Sequence, residues 1–345
     1  MAARRACLCA IALVVSCDGT VAAVMTDADL DRDATARDAG SVPPDGTSPA
    51  TPDAATPDAG PSGPDVDRTD PRLIAMELTA RDADPAATVA LGTELAYLDT
   101  RVEPRGKLVV YLHGAGAPTV CGSREMGEVL AGMGFHVLAP CYVSDYGVAN
   151  CGDDIGGCRL EAFEGVDHHD FIDIAPPDSV ERRVTRALQY LDEMNPGGDW
   201  AYFIDGDRPR WSEIVISGIS HGASSSGLIG VYRVVDRVVM LSGPYDVGQA
   251  WLSLAPMTSI DRYWGFTHTD DPQHMGHLEA FERLGMPGEP VSVDGATAPY
   301  GGSHRLVSSA STTNGHSSVQ AGSTSPRTSS GDYAFMPVWQ TMYGP

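Results

Sequence analysis

The sequence predicts an α/β domain with helices on both faces of a mostly parallel, twisted sheet. Residues 107–112 (KLVVYL) and 214–216 (IVI) are continuous apolar runs rich in β-branched side chains. Strands buried on both faces read this way, whereas half-exposed strands alternate. Between such runs lie segments with helical spacing, such as Val180, Val184, Leu188 and Leu191. A chain that alternates strand and helix in this manner builds parallel β-α-β units.

The elements follow in order. Residues 1–17 read as a secretory signal: Arg4 and Arg5 precede a short apolar core at 6–15, too short to span a bilayer. Val14-Val15-Ser16-Cys17 resembles a bacterial lipobox, which implies a lipid on Cys17 and a cell-envelope lipoprotein. Cleavage near Ala22 or Ala23 is the alternative and implies a secreted protein. Either way the chain is expected to be exported. Residues 18–70 are Ala, Asp, Pro, Thr and Gly with near-repeats such as ATPDA. They offer too little apolar surface to offset the entropy of ordering, so a disordered linker is expected.

The α/β domain is assigned to residues 71–345. Strands are expected at 73–78, 95–98, 107–112, 135–139, 214–216, 237–241 and 263–267, with 290–293 as the last strand. Helices are expected at 123–134 and 273–284, and from Asp178, read as the cap, to the stop signal Asn195-Pro196-Gly197-Gly198. Residues 305–307 could prolong the sheet, and 335–343 close the domain as a helix or turn. Residues 141–177 break the rhythm and read as an insertion at the carboxyl ends of the strands, where open α/β sheets place their sites.

The chemistry-bearing stretch is 212–230. Its strand enters Gly218-Ile219-Ser220-His221-Gly222, which fits G-x-S-x-G, and a helical run follows. A sharp turn lifts the serine hydroxyl clear of the backbone and leaves room only for glycine on either side. A serine is a weak nucleophile until a base accepts its proton and a carboxylate orients that base. The base candidates after the last strand are His316, favoured because Asn314-Gly315 makes a turn before it, and His304. The acid candidates are Asp271, Asp270 and, after the preceding strand, Asp246. Asp270 and Asp271 also suit a helix N-cap.

Taken together, these features resemble the α/β-hydrolase superfamily, and more particularly its secreted serine esterases and lipases. The specific parts are LVVYLHGAG at 108–116, GISHG at 218–222, and the chain order Ser, Asp, His. The resemblance implies Ser220 as nucleophile, His316 as base and Asp271, which precedes Pro272, as acid. It implies an oxyanion hole made by the backbone N–H groups of Ala115 and His221. The activity it implies is hydrolysis of carboxylic esters, small or polymeric, without a cofactor. Amide or peptide cleavage by the same triad, and a non-catalytic binding module on a hydrolase scaffold, are the rivals.

Past the signal, Cys121, Cys141, Cys151 and Cys158 remain, an even count that suggests two disulfides in an exported chain. Three pairings are possible; Cys121 with Cys141 and Cys151 with Cys158 are preferred. No C-x-x-C pair favours zinc. The run Asp153, Asp154, Glu161, Glu164, Asp167, His168, His169, Asp170 and Asp173 lacks EF-hand spacing and reads as a solvated acidic loop, so no metal is expected. Tyr142, Tyr245 and Trp251 could line an acyl pocket, but aromatics near strand ends are more often core, so they are read as core and none is taken as a site. Formal charge is −23, with −9 from residues 18–70, −16 from 71–345 and +2 from Arg4 and Arg5. Nucleic-acid binding needs a basic footprint, so that class is set aside. A monomer is expected, touching a membrane only through a lipid on Cys17.

Overall fold

The computed structural model describes residues 63–344. The signal-like residues with Cys17, and 18–62 of the linker, lie outside the described residues. The described end of that linker is docked. Asp67 N donates to Gly197 O (2.8 Å), Asp65 N to Asp199 Oδ2 (2.7 Å), and Arg68 pairs with Glu103. Val66 packs against the core. The domain therefore begins before residue 71, because backbone and charge contacts anchor a stretch whose composition alone suggested none.

Eleven strands are present among the described residues: β1 Leu73–Thr79, β2 Thr93–Asp99, β3 Leu108–Leu112, β4 His136–Ala139, β5 Ile204–Asp205, β6 Arg208–Pro209, β7 Ile214–Ile219, β8 Arg237–Leu241, β9 Tyr263–His268, β10 Val291–Ser292 and β11 Arg305–Ser308. β5 and β6 form a small hairpin. The other nine form one sheet in the order β1-β2-β4-β3-β7-β8-β9-β11-β10. Pairing is antiparallel between β1 and β2 and between β2 and β4, and parallel elsewhere. This is a mostly parallel sheet with helices on both faces, as the alternation of strand and helix predicts. β10 is not last: β11 follows it in the chain and inserts between β9 and β10. Two residues of β10 hold the edge, whereas Leu306 and Ser308 of β11 are buried.

The helices are α1 Ala80–Ala83, α2 Arg124–Gly132, α3 Val148–Cys151, α4 Ile155–Glu164, α5 Val180–Met194, α6 His221–Tyr232, α7 His274–Arg283, α8 Gly315–Ser318 and α9 Met336–Tyr343. Alternate strand side chains split the core in two. Val110, Leu112, Ile216 and Met240 pack with α4, α5, α6 and α7. Val109, Tyr111, Val215 and Leu241 pack with α2 and α9. The cap of α5 is Ser179, whose side chain accepts from Arg182 N, and not Asp178. Asp178 is occupied by Thr88, Val89 and Arg183.

The 141–177 insertion carries α3 and α4. Part of its acidic run is structural rather than solvated. Glu161 is buried and accepts from the N–H groups of His168, His169 and Ile174, each at 3.0 Å. Asp154 caps α4, and Glu164 pairs with Arg233 at 2.6 Å. The preferred cysteine pairs are bonded, Cys121–Cys141 at 2.04 Å and Cys151–Cys158 at 2.06 Å. His169 stands near the second pair, but sulfurs joined to each other are not the thiolates a metal needs. Among the described residues, no helix is long and apolar enough to cross a membrane.

Candidate active site

β7 ends at Ile219 and α6 begins at His221, so Ser220 alone makes the bend. Its backbone sits at φ 58°, ψ −118°, a conformation rare for a residue with a side chain. Surrounding bonds hold it there. Ser220 N donates to Leu241 O (2.9 Å), and Ser220 O accepts from Ala223 N (3.0 Å) and Ser224 N (3.2 Å). The two motif glycines have a steric cause. A Cβ on Gly218 would stand 2.6 Å from both Gly222 C and Leu112 O, and one on Gly222 would overlap Leu112 O. The bend thus packs against the end of β3, the strand that leads into His113.

The His113–Gly116 loop reaches the serine. A Cβ on Gly114 would lie 3.5 Å from Ser220 Cβ and 4.0 Å from its Oγ. Ala115 is the next residue. Among the described residues, neither Ala115 N nor His221 N donates to a protein acceptor. His221 N–H opens α6 and so has no partner within the helix. Tyr142 braces both sides: its hydroxyl donates to His113 O (2.9 Å) and accepts from His221 Nδ1 (3.0 Å). Burial first, then the charge of Arg159, holds the His221 ring well below the usual histidine range, so it is neutral.

His316 lies on α8, capped by Asn314, whose side chain accepts from Ser317 N. Its Nδ1 is 2.7 Å from Asp271 Oδ2. Asp271 follows β9 and its side chain is fully buried. Burial alone would raise its pKa. The bond from His316, the N–H of Gln273 (2.9 Å on Oδ1) and the nearby ring of His277 outweigh that and hold it at about 2. Gly315 permits the approach: a Cβ there would be 2.7 Å from Asp271 N. The backbone of His316 is fixed too, because Ser242 Oγ donates to His316 O (2.8 Å). Ser242 directly follows Leu241, the residue that holds Ser220 N. The two loops carrying Ser220 and His316 are therefore tied to consecutive residues at the end of β8.

The remaining candidates are placed elsewhere or are otherwise engaged. His304 precedes β11 and bonds Tyr263 O (2.9 Å) at the start of β9. Its ring stacks on Trp264 at 3.7 Å. At about 3.3 Å per residue, the far end of β9 is roughly 17 Å away. Asp246 is buried in a two-point ion pair with Arg159 (2.7 and 2.8 Å) and also accepts from Trp251 Nε1 (3.0 Å). Asp270 has two-thirds of its side chain in solvent. Trp251 is core, as expected, whereas Tyr245 is about half exposed.

Sequence reasoning missed His277. It is fully buried on α7, with Nδ1 2.9 Å from Thr267 Oγ1 and 3.8 Å from Asp271 Oδ2. Burial, countered by Asp271, keeps it neutral down to about pH 4. A signal was available: His277, Phe281 and Leu284 form a helical stripe in which histidine occupies a core position.

No protein-family model matches this sequence, and no curated protein is detectably similar to it. Solved structures to which it is similar include a dienelactone hydrolase-like promiscuous phosphotriesterase from metagenomic libraries. That match has 17% identity over 62% of this chain and 79% of the other, at a TM-score of 0.30. An acetyl xylan esterase from Aspergillus awamori matches at 12% identity, over 61% and 80%, with a TM-score of 0.32. The feruloyl esterase module of Clostridium thermocellum matches at 10%, over 69% and 80%, with a TM-score of 0.34.

Proposed function

We propose that the chain is an exported serine hydrolase that cleaves carboxylic esters through an acyl-enzyme on Ser220. The supporting observation is the His316 Nδ1–Asp271 Oδ2 bond of 2.7 Å, held on a loop tied to the same strand end as the Ser220 bend. His316 Nε2 takes the Ser220 proton as Oγ attacks the carbonyl carbon. Asp271 fixes the tautomer that leaves Nε2 free to accept and stabilises the imidazolium that forms. The carbonyl oxygen becomes negative and is met by the N–H groups of Ala115 and His221; one such donor is typically worth about 10²–10³ in rate. His316 then gives the proton to the departing alcohol. Water, activated by the same ring, releases the acid.

The test is a fluorophosphonate probe with mass analysis of the labelled peptide. The adduct is expected on Ser220, and Ser220→Ala is expected to lose both labelling and turnover of p-nitrophenyl acetate. An adduct on another residue, or unchanged turnover by Ser220→Ala, overturns the reading.

A further inference from the structure

A cavity of about 500 Å³ is lined by His113 and Gly116, the two ends of the loop that reaches Ser220. Its wall is mostly apolar, with Val89, Leu91, Ala117, Pro118, Tyr142 and Ile174, while Thr119 and Ser144 add polar groups. Two carboxylates, Asp145 and Asp173, line it from exposed positions, and the lining includes no lysine or arginine. The only ring nitrogens there belong to His113, which burial keeps below the usual histidine range.

The wall is built rather than loose. Asp178 accepts from Thr88 N (2.9 Å) and Val89 N (3.2 Å). Arg183 donates to Ala90 O (2.8 Å), Cys141 O (3.2 Å) and Val89 O. Both side chains are buried, and the Cys121–Cys141 bond closes the same wall. A preformed apolar cavity with few polar groups is the usual form of a ligand site.

Sheet order says which limb of an ester belongs there. Ser220 follows β7. The Ser242 hydroxyl that holds His316 follows β8, and Asp271 follows β9, so base and acid stand to one side of the serine. Most of the cavity wall follows β3 or β4, and residues 89–92 precede β2, the neighbour of β4, so the cavity lies on the other side. The departing alcohol must lie toward His316 to receive its proton. The acyl limb then points toward β3 and β4.

Resting on the reading that Ser220 is acylated, we infer that this cavity is the acyl site, and that it takes a medium-chain or aryl-bearing acyl group without a negative charge. At about 30 Å³ per water-sized group, 500 Å³ holds roughly seventeen non-hydrogen atoms. A second hollow of about 170 Å³, beside Gly114, Ala115 and Gln320, holds only about six on the same measure. Each methylene buried is worth about fourfold in binding, so length should show in kcat/KM. A carboxylate at the chain end would face Asp145 and Asp173 with no cation to meet it.

The experiment compares p-nitrophenyl acetate, butyrate, octanoate and the half-ester of octanedioic acid, with wild type, Ser220→Ala, Val89→Trp, Ala117→Trp and Val234→Trp. Val89 and Ala117 are exposed wall positions, so added bulk there enters the cavity without straining the core. Val234 is exposed just before β8, at the amino ends of the parallel strands and so at the opposite end of the sheet from the cavity. In wild type, kcat/KM is expected to rise at least about tenfold from acetate to octanoate and to fall at least about tenfold from octanoate to its half-ester. The octanoate-to-acetate ratio should drop about tenfold in Val89→Trp or Ala117→Trp and hold in Val234→Trp. An optimum at acetate or butyrate, a half-ester as good as octanoate, or a ratio untouched by both wall variants overturns the acyl-site inference while leaving the Ser220 reading intact. Unchanged turnover by Ser220→Ala fails the Ser220 reading itself.

Discussion

Asp270 and Asp271 are neighbours in the chain and opposites in environment. The side chain of Asp270 is 66% exposed, whereas that of Asp271 is 0% exposed and bonded to His316 and Gln273. The sequence offered this pair and Asp246 as acids, and the proline context favoured Asp271, but burial is a tertiary property that no local pattern reports. The same holds for Asp246, whose consumption by Arg159 joins residues far apart in the chain. Gly315 was legible only as a turn; its cause is the approach of two loops. If Asp271 orients the base, Asp271→Asn should lower kcat for p-nitrophenyl acetate by about 10⁴, as an amide there favours the wrong tautomer. Asp270→Asn should stay within a few-fold. Equal losses in both would refute the assignment. Because Asp271 is held at about 2, it stays ionised above pH 4 and adds no break to the pH–rate profile there.

Elements with an internal period or a continuous apolar run could be read from the chain. The β3 and β7 runs match buried strands, and α5 has the expected stripe. The insertion was opaque for a physical reason. α4, IGGCRLEAFE, buries Ile155, Cys158, Arg159, Glu161, Ala162 and Phe163, so charged and apolar residues share its inner side and no hydrophobic period survives. Its partners supply the missing logic: Arg159 meets Asp246 after β8 and also donates to His221 O (3.3 Å) and Ser225 Oγ (3.2 Å) on α6. One guanidinium thus joins the insertion to α6, the helix that follows Ser220. Asp246→Ala would leave that cation buried and unpaired, a change that costs about 3–5 kcal/mol. Urea unfolding should show this loss as a lower midpoint with a similar slope. A midpoint within the error of wild type would mean the pair is not anchoring the insertion.

Across the whole molecule, buried ionisable groups set how stability responds to acid. Burial, with a smaller opposing effect from the bond to Gly198 O, holds His136 at about 4 against an ordinary 6.5. His277 is held at about 4 as well. A base whose folded value lies below its unfolded one binds fewer protons folded than unfolded between the two. Its contribution is therefore intact above about 6.5 and shrinks as pH falls toward 4. Glu94 acts the other way. Burial raises it to about 7 from 4.5, despite Arg183 at 3.7 Å, so its contribution grows as pH falls from 7 to 4.5. Two histidines outweigh one carboxyl, and burial depresses His113 and His221 too. The melting temperature should therefore fall between pH 6.5 and 4, measured by calorimetry in matched ionic strength. His136→Gln, which keeps a donor for Gly198 O but cannot gain a proton, should flatten that fall. Glu94→Gln, which removes the opposing group, should steepen it. A melting temperature that holds or rises as pH drops through this window would show that the buried rings are not what acid attacks first.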